Sequence, residues 1–149
     1  MDLADQLKKI FATNFNSYVL SHGYHQNLIG EDFYEYHKLF QKIYEYLQEN
    51  IDTQGELIRA IDEVVPFSLK RIEELSDVAD VDAVPEIAQM VLDIDAALYT
   101  LIDLANDAFE QSQTDKEYGV NNYLAGYIQD LNRFCWMLKA SSQGPKEAD

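Results

Sequence analysis

Two of the chain's three histidines, His25 and His37, stand twelve residues apart in YHQNLIGEDFYEYHKLFQ, with Gly30 between them. Further on, IDTQGELIRA carries Asp52 and Glu56 at i and i+4, so both carboxylates project from one face of a helix. Imidazole together with carboxylate is the ligand set expected for Fe(II) with open coordination positions. The single cysteine excludes thiolate-rich zinc and iron–sulfur sites. Each group also has an ordinary explanation. An acidic pair in so acidic a chain can be a solvated helix face. A histidine among Tyr, Phe and Leu can be a core residue held by a backbone carbonyl at a helix junction.

The elements that must position these groups follow from periodicity. Apolar residues recur at steps of three and four in four long segments. The first runs from about Leu3 to Leu28, the second from about Asp32 to Ile61, the third opens near Pro85, and the fourth covers about Asp115 to Ala140. At 1.5 Å per residue each helix is roughly 38 Å long, and four such apolar stripes pack best as a bundle. Short joints at LIGED and QSQTDKE make antiparallel neighbours. The connection from Asp62 to Val84 is too long for a turn, and PFSLKRIEELS, with Ser68 as a cap, is expected to form a short extra helix within it. An all-α bundle with one long middle crossover is the ferritin-like arrangement. The bundle is assigned to residues 1–140, and the polar tail 141–149 is expected to be disordered.

His37 and Asp52 share the second segment but lie fifteen residues apart, roughly 22 Å along a helix axis. One chain therefore cannot bring the histidines and the acids to one metal ion. A two-fold dimer can. If the second helix packs antiparallel on its symmetry mate, His25 and His37 of one copy can face Asp52 and Glu56 of the other.

The stretch SHGYHQNLIGEDFYEYHKLFQKIYEYLQENIDTQGELIRAI resembles the signature of the Dps family (DNA-binding proteins from starved cells, the mini-ferritins): two histidines twelve apart, then an Asp-x-x-x-Glu pair. The crossover element and the closing DLNRFCWMLKA extend the resemblance over nearly the whole chain. It implies a hollow dodecamer built from two-fold dimers, which oxidises Fe(II) with hydrogen peroxide or oxygen and stores Fe(III) inside. It also implies that His25 and His37 ligate from one subunit, and Asp52 and Glu56 from the other, with Glu56 the bridging or strongest carboxylate. Where the family has an Asp one turn after the second His, this chain has Gln41, a poorer iron ligand; Glu45, a turn further on, is the acid available beside it. Gln26 replaces a common Trp. The acids that line the family's three-fold entry pore fall on Asn122 and Asn132, leaving Asp130, Asp115 and Glu117 nearby.

The balance of 11 basic against 27 acidic side chains gives a net charge of −16, which disfavours nucleic acid and anionic membranes as partners. Direct DNA binding is not expected, since the termini lack the basic tail that DNA-condensing relatives use. No apolar run approaches the length of a membrane span, the start MDLADQLKKI does not read as a signal peptide, and the lone cysteine suits a cytoplasmic setting. Cys135 reads as a packed thiol, Trp136 as a packing anchor, and His22 as a structural or surface residue. Tyr34, Tyr36, Tyr44 and Tyr46 read as core or interface rings. No Glu-x-x-His step occurs, which argues against a di-iron centre inside each bundle. Two other functions fit the same sequence: a ferritin-like cage with lost or weakened ferroxidase activity, and an acidic helical-bundle adaptor.

Overall fold

The computed structural model describes residues 1–143 and contains five helices: α1 (Leu3–Asn27), α2 (Phe33–Ala60), α3 (Leu69–Leu75), α4 (Ile87–Thr114) and α5 (Tyr118–Ser142). No strand occurs among the described residues. The architecture is the all-α four-helix bundle expected, with α3 as the short helix of the crossover. Helix α1 packs on α2 and α4, α4 packs on α5, and α3 lies against α1. The core is formed by the predicted stripes, with Ile10, Phe40, Leu47, Ile94, Leu101 and Leu131 each almost fully buried.

Local chemistry sets the helix ends. Asp2 caps α1 by accepting a hydrogen bond from the Asp5 N–H at 2.9 Å, and Ser68 caps α3 by accepting from the Arg71 N–H at 3.1 Å. Helix α2 ends with Asp62 in the left-handed region (φ 64°), while the Asp62 N–H donates to the Arg59 carbonyl and the Glu63 N–H to that of Ile58. Helix α4 ends the same way at Lys116 (φ 57°), with Lys116 donating to Gln113 and Glu117 to Ser112. Both are Schellman closures that satisfy otherwise orphaned carbonyls.

Three boundaries differ from the sequence expectation. Pro85 does not enter the first turn of α4: the first carbonyl to accept is that of Glu86, so the proline precedes the cap. Most of QSQTDKE is helical, and the α4–α5 joint is only three residues, because polar residues continue the exposed side of a helix whose buried side includes Ala108 and Ser112. Helix α5 runs through Ser142, and residues 144–149 of the expected tail lie outside the described residues.

The bundle centre is polar as well as apolar. Asn14 is fully buried; its amide donates to the Leu47 carbonyl at 2.8 Å, and its oxygen accepts from the Tyr127 hydroxyl at 2.7 Å. Helices α1, α2 and α5 are thereby tied at one level. Tyr123 donates to Asn50 and accepts from Gln54 at 2.9 Å, and Tyr46 donates to Asp130 at 2.9 Å. Buried polar groups of this kind are costly only when one partner is removed. Tyr127→Phe, which orphans the Asn14 oxygen, is expected to lower stability by about 1–3 kcal/mol. Urea unfolding at one fixed chain concentration measures it, and a midpoint equal to the parent's contradicts the assigned role.

Candidate metal centre

His25 lies in the last turn of α1 and His37 near the start of α2. The chain reverses between them through an extended Leu28 and through Gly30 at φ +129°, a conformation L side chains rarely adopt. This reversal sets the two imidazoles face to face, with ring centroids 3.7 Å apart and planes 16° from parallel. Each Nδ1–H donates to the other histidine's backbone carbonyl, His25 to His37 at 2.6 Å and His37 to His25 at 2.8 Å. A carbonyl only accepts, so each neutral ring must carry its proton on Nδ1. Both Nε2 atoms keep their lone pairs. Metal-ligating histidines are prepared in this way, the outer hydrogen bond fixing tautomer and ring orientation. The two explanations offered by the sequence thus combine, since carbonyl bonding at the junction leaves each ring's other nitrogen available.

Aromatic neighbours brace the pair. Phe33 stacks on His37 at 4.8 Å, and Tyr44 meets His25 edge-on at 5.0 Å. His22 lies flat on Tyr44, with centroids 3.9 Å apart, and shares a 2.9 Å hydrogen bond with the Tyr18 hydroxyl. His22 is therefore structural, as its sequence position suggested. The bracing role of Phe33 was not apparent from sequence, although its place four residues before His37 on one helix is the signal that carries it.

The carboxylates lie elsewhere on α2. Asp52 and Glu56 are both exposed. At about 100° per residue, Asp52 falls within about 60° of His37 around the helix and Glu56 within about 100°, so they share its broad outer side but not its level. Among the described residues of one chain, no group of three or more His, Cys, Asp or Glu side chains could hold a metal ion. The structure brings the histidines together and leaves the acids apart, as the distance along the helix requires. The Gln41 amide donates to Glu45 at 2.8 Å, so these two side chains engage each other.

Other sequence readings fare differently. Cys135 is buried and its thiol is pushed up to about 12, first by burial and then by Asp95, which suits a packed thiol. Trp136 is not a packing anchor within the chain. It is 64% exposed, because Phe134, Cys135 and Leu138 take the inward side of α5. Asn122 and Asn132 are both exposed. Tyr36 is buried, Tyr44 and Tyr46 are half-buried, and Tyr34 stands exposed beneath the Lys38 ammonium.

Burial holds the His25 imidazole below its usual range. The nearby His37 and His22 add to this, while the His37 carbonyl and Glu45 oppose it. The unfolded chain therefore takes up more protons than the folded one just below the ordinary imidazole value of about 6.5. Stability from this group is complete above that value and is lost as pH falls toward the folded pKa. In metal-free protein, denaturant unfolding at about pH 7 and about pH 5 should show a larger loss for the parent than for His25→Asn, whose amide can keep the bond to the His37 carbonyl. Equal losses would contradict the assignment.

A family model for the ferritin-like domain matches residues 4–143. An uncharacterized protein of Haemophilus influenzae is 25% identical over 142 residues, covering 95% of this chain and 89% of its own length. An uncharacterized low temperature-induced protein of Nostoc sp. is 25% identical over 140 residues, covering 93% and 78%. The fold is similar to that of the Dps protein from Vibrio cholerae O1, described as a member of a broad superfamily of ferritin-like diiron-carboxylate proteins; the TM-score is 0.91 at 23% identity, covering 95% of this chain and 89% of that one. A Dps protein from Bacillus brevis gives 0.91 at 22% identity, covering 95% of each chain. Dps from Thermosynechococcus elongatus gives 0.92 at 18%, covering 96% of this chain and 91% of that one. With the domain match running almost from end to end, this chain belongs to the ferritin-like family, and its fold is like that of Dps proteins.

Proposed function

We propose that the chain assembles into a Dps-like cage, a dodecamer of two-fold dimers, which binds Fe(II) between subunits, oxidises it and retains the Fe(III). The observation that carries this reading is the reciprocal histidine pair, with two fixed Nε2 donors at a helix junction and their carboxylate complements out of reach on the same chain. His25 and His37 would supply neutral nitrogen ligands, and Asp52 and Glu56 of the partner subunit the anionic oxygens that favour the higher oxidation state. Iron is the substrate. Two Fe(II) ions give one electron each to hydrogen peroxide, the O–O bond breaks, and two protons complete two waters. Oxygen is the alternative acceptor. A depressed His25 pKa helps at neutral pH, because only an unprotonated imidazole binds metal.

Gln41 favours a weakened form of this activity. An amide hydrogen-bonded to Glu45 stands where a carboxylate would complete a second iron position, so that position is expected to bind poorly. His37→Ala and Glu56→Ala should each slow peroxide-dependent Fe(II) oxidation at least tenfold while the particle stays near twelve chains by light scattering. Gln41→Asp should raise the number of Fe(II) bound per chain. Oxidation rates equal to the parent's in both alanine variants would remove the site assignment. A parent that scatters as a single chain or a dimer would favour the acidic adaptor.

Among the described residues no helix is long and apolar enough to cross a membrane, and a cytoplasmic, peroxide-protective role is part of the same proposal. Direct DNA binding is not part of it. Twelve copies of a chain with net charge −16 repel a polyanion. In a gel shift at low ionic strength without divalent metal, DNA should migrate freely; stoichiometric retardation would show otherwise.

A further inference from the structure

A weakened second iron position leaves the proposed reaction short of an electron. Gln41 stands where a carboxylate would complete that position, and its amide is already bonded to Glu45 at 2.8 Å. Hydrogen peroxide needs two electrons to become two waters, and one Fe(II) gives only one. With a single iron bound, the other electron comes from the protein, or a hydroxyl radical leaves the site. Rings packed behind the histidine pair can supply it.

Three rings run in contact from His25 away from the pair. Tyr44 meets His25 edge-on, with centroids 5.0 Å apart. His22 lies flat on Tyr44 at 3.9 Å, with planes 4° from parallel. Tyr18 follows, its centroid 5.5 Å from that of His22 and 6.3 Å from that of Tyr44. Phe15 closes the far side edge-on at 6.4 Å. Tyr44, His22 and Tyr18 are all half-buried, and each step between them is a packing contact that an electron can cross.

The stack ends on a phenol paired with a base. A phenol gives up an electron readily only when its proton can leave at the same time, because the oxidised phenol is a strong acid. The Tyr18 hydroxyl lies 2.9 Å from His22 Nδ1, within the reach that a proton acceptor needs. A neutral His22 protonated on Nε2 presents a lone pair at Nδ1, and the hydroxyl then donates to it. Other phenols have only half of this arrangement. Tyr46 donates to Asp130 and Tyr36 to the Ser141 carbonyl, but their ring contacts run to Tyr127, Phe134 and Phe40 rather than to a histidine.

We infer that Tyr18 is a redox-active residue that supplies the second electron to peroxide, relayed through Tyr44 and His25, while His22, besides packing on Tyr44, takes the phenol proton. The inference rests on the proposed function, which puts Fe(II) and peroxide at the histidine pair. The electrons balance. Fe(II) and Tyr18 give one each, the O–O bond breaks, and two protons from solvent complete two waters. The phenol proton shifts to His22, leaving a neutral phenoxyl radical beside an imidazolium. A second Fe(II) then returns one electron to Tyr18 and the proton goes back from His22, so two Fe(II) are consumed per peroxide. The oxidising equivalent waits within packed side chains, and no hydroxyl radical is released.

In the test, the full chain loaded with equimolar Fe(II) is mixed with equimolar hydrogen peroxide and frozen for electron paramagnetic resonance. The parent should give a phenoxyl signal. Tyr18→Phe, which keeps the ring and removes the hydroxyl, should abolish that signal and raise the hydroxyl radical caught by a spin trap several-fold. His22→Phe, which keeps a ring on Tyr44 and removes the base, should abolish the signal likewise. Tyr34→Phe, at an exposed phenol outside the stack, should leave it at the parental level. Fe(II) oxidation by the parent without a phenoxyl signal overturns the inference and leaves the proposed activity standing, and so does a parental signal in Tyr18→Phe or His22→Phe. A parent that leaves Fe(II) unoxidised refutes the activity, and the inference falls with it.

Discussion

The pair of hydrogen bonds that crosses the α1–α2 joint constrains everything else at this end of the molecule. Each histidine gives its Nδ1 proton to the other's carbonyl, so neither ring can turn without losing its own hydrogen bond and its stacking on the other ring. The bonds fasten the end of one helix to the start of the next and satisfy backbone oxygen near the α1 terminus. They also decide the chemistry, because the nitrogen left over on each ring is the one that can meet a metal. Gly30, Phe33 and Tyr44 all serve this geometry, one by permitting the turn and two by filling the space around the rings.

Much of this was legible in the sequence. Four apolar stripes and one long crossover gave the bundle, and the Ser68 cap located α3 correctly. The spacing of His25, His37, Asp52 and Glu56 showed that a lone chain could not assemble a four-ligand site, and the structure keeps the two halves apart. Boundaries were less legible where local signals compete. Proline suits both the first turn of a helix and the position before its cap, so Pro85 alone could not place the start of α4. QSQTDKE looked like a loop because it is polar, yet a helix with one buried side can carry polar residues on every other position.

Side-chain pairing was hidden almost completely. Nothing in the order of residues reveals that Asn14 reaches both Leu47 and Tyr127, since these partners are brought together only by packing. The same applies to Trp136, whose outward position follows from which neighbours face the core. The polar centre also bears on where metal chemistry can occur. The interior space between α2 and α5 is occupied by phenols, amides and the Asp130 carboxylate bonded to one another, which is why the proposed function puts iron between copies rather than inside the bundle.

Two helices terminate on residues that are poorly suited to the conformation they adopt. Asp62 and Lys116 hold left-handed backbones where glycine would stand without penalty, a difference of about 1 kcal/mol each. A loop that dictated the arrangement of its flanking helices would be expected to have a sequence fitted to its own shape. Here the order of cause runs the other way: packing of the long cylinders fixes where their ends must lie, and the connections bend to comply. The architecture should accordingly be forgiving of change in its joints and intolerant of change along its seams.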